Sequence, residues 1–475
     1  MTLIYLICAL LICIGITINR NKVVQNSLLI LFILFQWSFT IYACINYKAT
    51  ELEYFTFDSI GILLLLTLSI ISVPALIHSY IYLNNRIETG HLSSTYYAAI
   101  VGLITAIGFG YLANHIAVTW IFTEITTLCA SILIYHHRNK LALEATWKYV
   151  FICAISVTFI FIGILFLSLS LTHAGSDDLS FKNLLANSDK LNPFWLRLAF
   201  LFIFTGFTAK LGLVPMFTAG IDAKDKAPAP VSALLASVLM NLGFIGIFRF
   251  YVVIANTSIH SWANLVIGIA AFLSLFVATV YMVKVKNLKR MFAYSGIEHM
   301  GLVMLGIAAG GIGYYAAILH IVLHAFVKSS LFFQYSQIFR VFRTKNIYQI
   351  GNYFKYNATG AMVLLLGFFS AAAMPPSGLF VSEFLIFRSL FESNQLLLLI
   401  AVLILLTMII WAFGKNILKI LFIPVVEFEE NNIPKIRSWE SLSQFLLLAF
   451  SAYLGLNPPA EFVQLINDSI MLLPK

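Results

Sequence analysis

The chain has 475 residues, 61% of them hydrophobic and only 10% charged, with 42 phenylalanines and a net charge of +9. Soluble domains carry charge on about a quarter of their residues, so this composition excludes an ordinary soluble protein and calls for a polytopic membrane protein. The positive balance follows the loops between apolar runs, which makes it a topology signal and excludes the reading of a nucleic-acid surface.

Only helices and closed barrels satisfy every backbone group in lipid. The apolar runs are too long for barrel strands, and a crossing takes about 20 residues as a helix, so about fourteen spanning helices are expected. In chain order they are placed at 2–18, 27–46, 58–80, 95–111, 113–135, 149–170, 195–217, 229–253, 263–283, 291–309, 313–335, 361–387, 396–421 and 438–456. No segment has the polar composition of a soluble domain. The expected class is an all-α polytopic membrane protein with one membrane domain: helices 1–3 in residues 1–94, helices 4–8 in 95–255, helices 9–13 in 256–425, and helix 14 in 426–475.

The first run resembles a signal sequence. Arg20-Asn21-Lys22 follows it and no small-x-small cleavage site precedes it, so it is expected to stay as the first helix. Short cytoplasmic loops collect Lys and Arg. With both termini on the non-cytoplasmic side, the cytoplasmic loops take Arg20 and Lys22, Arg86, Arg138 to Lys148, Lys224 and Lys226, Lys284 to Arg290, Arg340 to Lys355, Lys415 and Lys419, and Lys435 and Arg437, which is 20 of the 29 basic residues. The opposite loop 171–193 offsets Lys182 and Lys190 with Asp177, Asp178 and Asp189. Cys8, Cys13, Cys44, Cys129 and Cys153 lie in or beside apolar runs without CxxC spacing, which argues for packing roles over disulfides, zinc or iron–sulfur ligation.

Ionisable side chains that cannot snorkel to an interface are costly in lipid and mark function. The fifth span, TWIFTEITTLCASILIY, holds Glu124 far from both ends. At the start of the sixth, Glu144 and Lys148 in LALEATWKYV stand i, i+4, where an auxiliary surface ion pair is the default. The seventh, LFIFTGFTAKLGLVPMFTAG, places Lys210 in its middle beside the helix breakers Gly212 and Pro215. Glu124 is the expected partner of Lys210; the pair is either a proton-loading switch or a static link between two helices.

Glu298 and His299 in YSGIEHMG lie well inside the tenth span. In the eleventh, AAILHIVLHAFVKSSLFF, His320, His324 and Lys328 recur every four residues and so share one face. Two histidines at i, i+4 could bind a metal, but no HExxH glutamate or third ligand is near in sequence, and a hydrated proton path through imidazoles is preferred. The twelfth span, SAAAMPPSGLFVSEFLIF, is broken by Pro375, Pro376 and Gly378, with Glu383 just beyond. Broken helices seven and twelve, each carrying a charge and five helices apart, predict two inverted five-helix repeats, spans 4–8 and 9–13.

WIFTE, LEATWKY, FTAKLGLVP, APAPVSALL, KRMFAYSGIEHMG, HIVLHAFVKSSLFF and MPPSGLFVSEF, over residues 95–390, resemble the antiporter-like proton-translocating membrane subunits shared by respiratory complex I, Mrp-type sodium/proton antiporters and membrane-bound NiFe hydrogenases. ALEATWKY, APAPVSALL and SGIEHMG are most similar to the hydrogenase-4 component F branch, while a glutamate in the twelfth span resembles the middle complex I subunit. The resemblance implies a polar axis at mid-membrane in which Glu124 and Lys210 form the first half, His320, His324 and Lys328 the connecting relay, and Glu383 the terminal group. It further implies no cofactor in this chain, partnership with other membrane subunits and a peripheral redox arm, and protons, with Na+ as the alternative, as the moving ion.

Three departures stand out. Ala219, Gly220 and Ile221 replace a usual tryptophan, leucine and proline; Lys224 and Lys226 replace a histidine and an acidic residue; and Asn241 stands where complex I relatives have a lysine or histidine. The resulting expectation is a non-catalytic, proton-translocating subunit of an oxidoreductase complex in a bacterial cytoplasmic membrane. The alternatives are an Mrp-type cation/proton antiporter module, a membrane partner of an inorganic-carbon uptake complex, and a non-conducting scaffold.

Overall fold

Apolar runs of helix-forming residues with no water to satisfy their backbone must close their hydrogen bonds internally. The computed structural model describes residues 1–85, 90–172, 175–425, 434 and 436–474, and it is helical apart from a hairpin of two two-residue strands, β1 (Thr50–Glu51) and β2 (Phe55–Thr56). Arg86 and Lys435, two of the basic residues read as cytoplasmic, lie outside the described residues.

The helices are α1 (Thr2–Ile18), α2 (Lys22–Ile45), α3 (Ser59–Asn84), α4 (Gly90–Leu112), α5 (Ile116–Ile134), α6 (Lys140–Thr172), α7 (Phe181–Ala186), α8 (Pro193–Leu211), α9 (Thr218–Lys226), α10 (Ala229–Ala236), α11 (Val238–Ala255), α12 (His260–Lys284), α13 (Leu288–Ala309), α14 (Ile312–Phe342), α15 (Tyr353–Tyr356), α16 (Ala358–Ala371), α17 (Gly378–Glu392), α18 (Leu396–Phe422), α19 (Leu442–Leu456) and α20 (Ala460–Ile470). Eleven described helical stretches are long and apolar enough to cross a bilayer, with α10 and α11 counted as one; α1 and α16 are apolar but shorter. The outer faces of α1 and α18 leave Leu10, Leu11, Leu397 and Trp411 exposed, as lipid-facing helices do.

Several boundaries differ from the sequence reading, each for a local reason. The seventh run ends at Leu211 and not at residue 217, because Gly212 takes a left-handed conformation (φ 86°, ψ 34°) that closes the helix. The twelfth run is two helices, α16 and α17, separated by the turn that holds Pro375 and Pro376. The eighth is interrupted at Ser237, and the sixth begins at Lys140, nine residues before its apolar core.

Two compact units emerge: residues 1–231, 238–266 and 461–475, and residues 232–237 with 267–460. In the first, α6 and α8 pack closely through small residues. A Cβ on Gly206 would lie 2.7 Å from Ser156 O, and one on Gly163 2.9 Å from Ile203 N. Arg249 of α11 braces the same unit, its Nη2 donating to Asp58 Oδ1 and Tyr111 O at 2.7 Å each and its Nη1 to Ala113 O. In the second unit α14 is the hub, packed by α13, α16, α17 and α19. There α17 meets α19 at the break itself: a Cβ on Gly378 would sit 2.2 Å from Ser451 O, so only glycine fits.

Candidate functional site

Each unit holds its own set of buried ionisable groups. In the first, Lys210 is the second-last residue of α8, at the C-terminal end where the helix dipole favours a cation. Only 4% of it is exposed. Its ammonium donates to Thr127 Oγ1 at 2.8 Å and to Tyr149 OH at 3.1 Å, and lies 5.2 Å from the centre of the Tyr149 ring.

Glu124, the expected partner of Lys210, does not bond the ammonium directly. The ammonium reaches α5 one turn beyond Glu124, at Thr127 on the same face, while Glu124 Oε2 is buried with no hydrogen-bond partner among the described residues. The two hydroxyls that accept from the Lys210 ammonium are neutral. The environment thus accepts the ammonium through hydrogen bonds and leaves the amine an available state.

Glu144 and Lys148 form an exposed i, i+4 ion pair at 2.5 Å near the start of α6, with side chains 57% and 53% exposed. Asn241, early in α11, is fully buried and neither atom of its amide has a hydrogen-bond partner among the described residues. Gly212 caps α8, and Pro215 lies in the turn before α9.

In the second unit α13 and α14 bring the tenth- and eleventh-span residues together. His299 Nδ1 and His320 Nε2 are 3.1 Å apart, and His320 Nδ1 lies 2.9 Å from Ser382 Oγ. Ser382 Oγ also lies 3.0 Å from Leu379 O, so His299, His320 and Ser382 form one hydrogen-bonded row.

Glu383 Oε1 lies 3.6 Å from the same His299 nitrogen. His299 Nδ1 therefore faces both a histidine and a carboxylate. The His324 ring is 5.2 Å from that of His299 between centres. Lys328 Nζ donates to Ser295 Oγ at 2.6 Å, and Ser295 precedes Glu298, whose Oε2 is buried without a hydrogen-bond partner, by one turn.

The structure also supplies a grouping that spacing along the chain did not offer. Nitrogen atoms of His299 and His320 and a carboxylate oxygen of Glu383 all lie within 4.8 Å of one another, close enough to share one ion as well as a proton. Pro375 and Pro376 occupy the turn before α17, and Gly378 is its first residue.

Thr127, Tyr149, Ser295 and Ser382 were not singled out from sequence. A hydroxyl in an apolar helix is unremarkable alone, and the available signal was position: Thr127 and Ser295 each stand three residues from a buried glutamate. Arg249 was also passed over, although it is ionisable and near the end of the eighth span.

A family described as the transmembrane part of NADH:quinone oxidoreductase and Mrp antiporter subunits matches residues 113–409. A hydrogenase-4 component F homolog of Methylacidiphilum infernorum is 27% identical over 429 residues, covering 89% of each chain. Among solved structures, a chain of the membrane-bound sulfane sulfur reductase, an archaeal respiratory membrane complex, superposes with a TM-score of 0.87 at 18% identity, over 99% of this chain and 97% of that one. A chain of the Mrp complex from Dietzia sp. gives 0.86 at 14% identity, over 99% and 96%. This chain is an integral membrane protein of the NADH:quinone oxidoreductase/Mrp antiporter transmembrane family.

Proposed function

We propose that the chain is a proton-translocating membrane subunit of a multi-subunit, redox-driven complex of the hydrogenase-4 or complex I kind. The observation that carries this is Lys210, buried, donating to two neutral hydroxyls and forming no ion pair with a carboxylate among the described residues. A lysine kept for a fixed structural charge is expected to have a counter-ion against it, since removing a partner from a buried charge costs about 3–5 kcal/mol. A lysine that must release its proton needs partners that tolerate both forms. The similarity to a hydrogenase-4 component F homolog over most of both chains supports the choice of complex.

Protons pass by way of Glu124, Lys210 and Asn241 in the first set and Lys328, Glu298, His324, His320, His299 and Glu383 in the second. The chain spans the membrane fourteen times, with α1, the broken pair α16–α17 and α19 joining the eleven long candidates. Residues 95–255 and 256–425 are inverted repeats within one membrane domain, flanked by 1–94 and 426–475. This reading is supported by the breaks after Lys210 and before Glu383, in spans seven and twelve. The membrane is a bacterial cytoplasmic membrane with both termini on its outer side.

The test is redox-driven proton uptake by vesicles holding the assembled complex, with Na+ present or replaced by choline. Unchanged uptake is expected. Strict dependence on Na+ would transfer the chain to the antiporter reading. Single cysteines replacing Lys286 and Lys345 should label from the cytoplasm and one replacing Asp177 from the other side.

A further inference from the structure

The segment between the seventh and eighth spans departs most from its resemblance, and the structure places its lysine inside the first unit. Lys224, in α9, is 4% exposed, against a loop lysine's usual place in water. Its ammonium donates to Met240 Sδ at 3.2 Å, a soft and weak acceptor for a cation. The next residue, Asn241, is fully buried with both amide atoms lacking hydrogen-bond partners. Met240 also closes on the end of the Lys210 helix: a Cβ on Gly212 would be 3.2 Å from Met240 Cε. One step further along α11, a Cβ on Gly243 would lie 2.9 Å from the carbonyl carbon of Lys210.

Residues 240–243 of α11 therefore stand against the Lys210 helix end on one side and carry the Lys224 ammonium on the other. Gly220 faces the same ammonium: a Cβ there would make an ordinary contact with Lys224 Nζ at 3.6 Å.

We infer that Lys224 is a second proton-carrying lysine, which feeds the Lys210 amine from the α9 side with the neutral Asn241 amide between them. This rests on the proposed function. In each cycle the Lys224 ammonium gives one proton towards the neutral Lys210 amine, leaving a neutral amine at Lys224 and an ammonium at Lys210. Lys224 then takes its next proton from hydronium at the loop surface, releasing water. An amide can accept on its oxygen and donate from its nitrogen, so it can order a hydrogen-bonded link without holding charge itself.

Burial pulls the Lys224 ammonium, which lies outside the candidate spans, down to about 7. That is near the pH at which the group must both load and unload. The charged groups on elements packed against α9 are Glu124 on α5, Lys140, Glu144 and Lys148 on α6, and Arg197 and Lys210 on α8, with Asp222, Asp225 and Lys226 on α9 itself. Lys226 is bound to Asp225 at 3.0 Å, and Lys148 reaches Asp222 at 4.0 Å.

The experiment is redox-driven proton uptake, expressed per electron transferred, in vesicles holding the assembled complex with Lys224→Met, Lys224→Arg, Lys224→His, Lys226→Met and Lys210→Ala. Lys224→Met and Lys224→Arg are expected to lower uptake by about tenfold, because neither side chain releases a proton, while Lys224→His recovers most of it. Lys226→Met is expected to stay at the wild-type ratio. Wild-type uptake by Lys224→Met, alongside a silent Lys210→Ala, overturns this inference alone; uptake by Lys210→Ala overturns the proposed function instead. If Lys224→Met fails to assemble, the arginine and histidine variants decide, and equal uptake by those two overturns the inference.

Discussion

Lys210 Nζ lies 2.8 Å from Thr127 Oγ1, and Thr127 stands one helical turn after Glu124 on the same face of α5. The buried lysine is thus joined to the glutamate's helix through a hydroxyl. A hydroxyl can accept from the ammonium and, after rotating, donate to the amine, so it serves both charge states. Thr127→Val removes this while keeping the shape. Leaving a buried polar group unsatisfied costs about 1–3 kcal/mol, so proton uptake should fall by about tenfold. Thr127→Ser should stay close to wild type. Equal uptake by the valine and serine variants would show that the hydroxyl takes no part.

Arg249 should behave in the opposite way, as a brace with no share in transport. Its guanidinium holds Asp58 and the carbonyls of Tyr111 and Ala113. Breaking a buried pair costs about 3–5 kcal/mol. The Asp58 side chain is 37% exposed, however, which screens part of this and brings the expected loss for Arg249→Met to about 2 kcal/mol. Thermal unfolding of the complex in detergent should begin at lower temperature, while uptake per assembled complex stays unchanged.

How far these roles can be read from sequence depends on what each residue costs where it lies. Lys210, Glu124, Glu383 and the His320–His324–Lys328 stripe are legible because an ionisable group in an apolar run is expensive whatever surrounds it. The end of α8 at Leu211 is half legible: Gly212 and Pro215 announce a break, but its exact residue depends on the left-handed turn. Partners are less legible. Thr127 and Tyr149 cost little in a helix and become informative only when folding sets them against Lys210. Arg249 was hidden by a different effect, since its position near a span end suggested snorkelling, whereas the fold gives it Asp58 from far earlier in the chain. Lys224 is legible as a cytoplasmic loop cation that departs from the resemblance, but its burial is visible only in the fold.

The His299, His320 and Glu383 grouping allows a direct test of proton against metal. Their ligand atoms lie within 4.8 Å of one another, a distance open to either. On the proton reading, exhaustive treatment of the complex with EDTA leaves uptake at its starting rate, and His320→Ala lowers it sharply because the link from His299 to Ser382 is cut. Loss of uptake on chelation, with recovery on adding Zn2+, would instead make these three residues a metal centre.

The measurement that bears most directly on the account compares Lys210→Arg with wild type in proton uptake driven by the complex's own redox reaction, with assembly verified on the same vesicles. Arginine keeps the positive charge and can still donate to hydroxyls, but guanidinium does not release its proton at any pH the protein tolerates. If Lys210 works by giving up and regaining a proton, the assembled Lys210→Arg complex transfers electrons without taking up protons, as Lys210→Ala does. Uptake by Lys210→Arg at the wild-type rate would contradict the account, because the charge alone would then suffice and deprotonation of Lys210 would be no part of the mechanism.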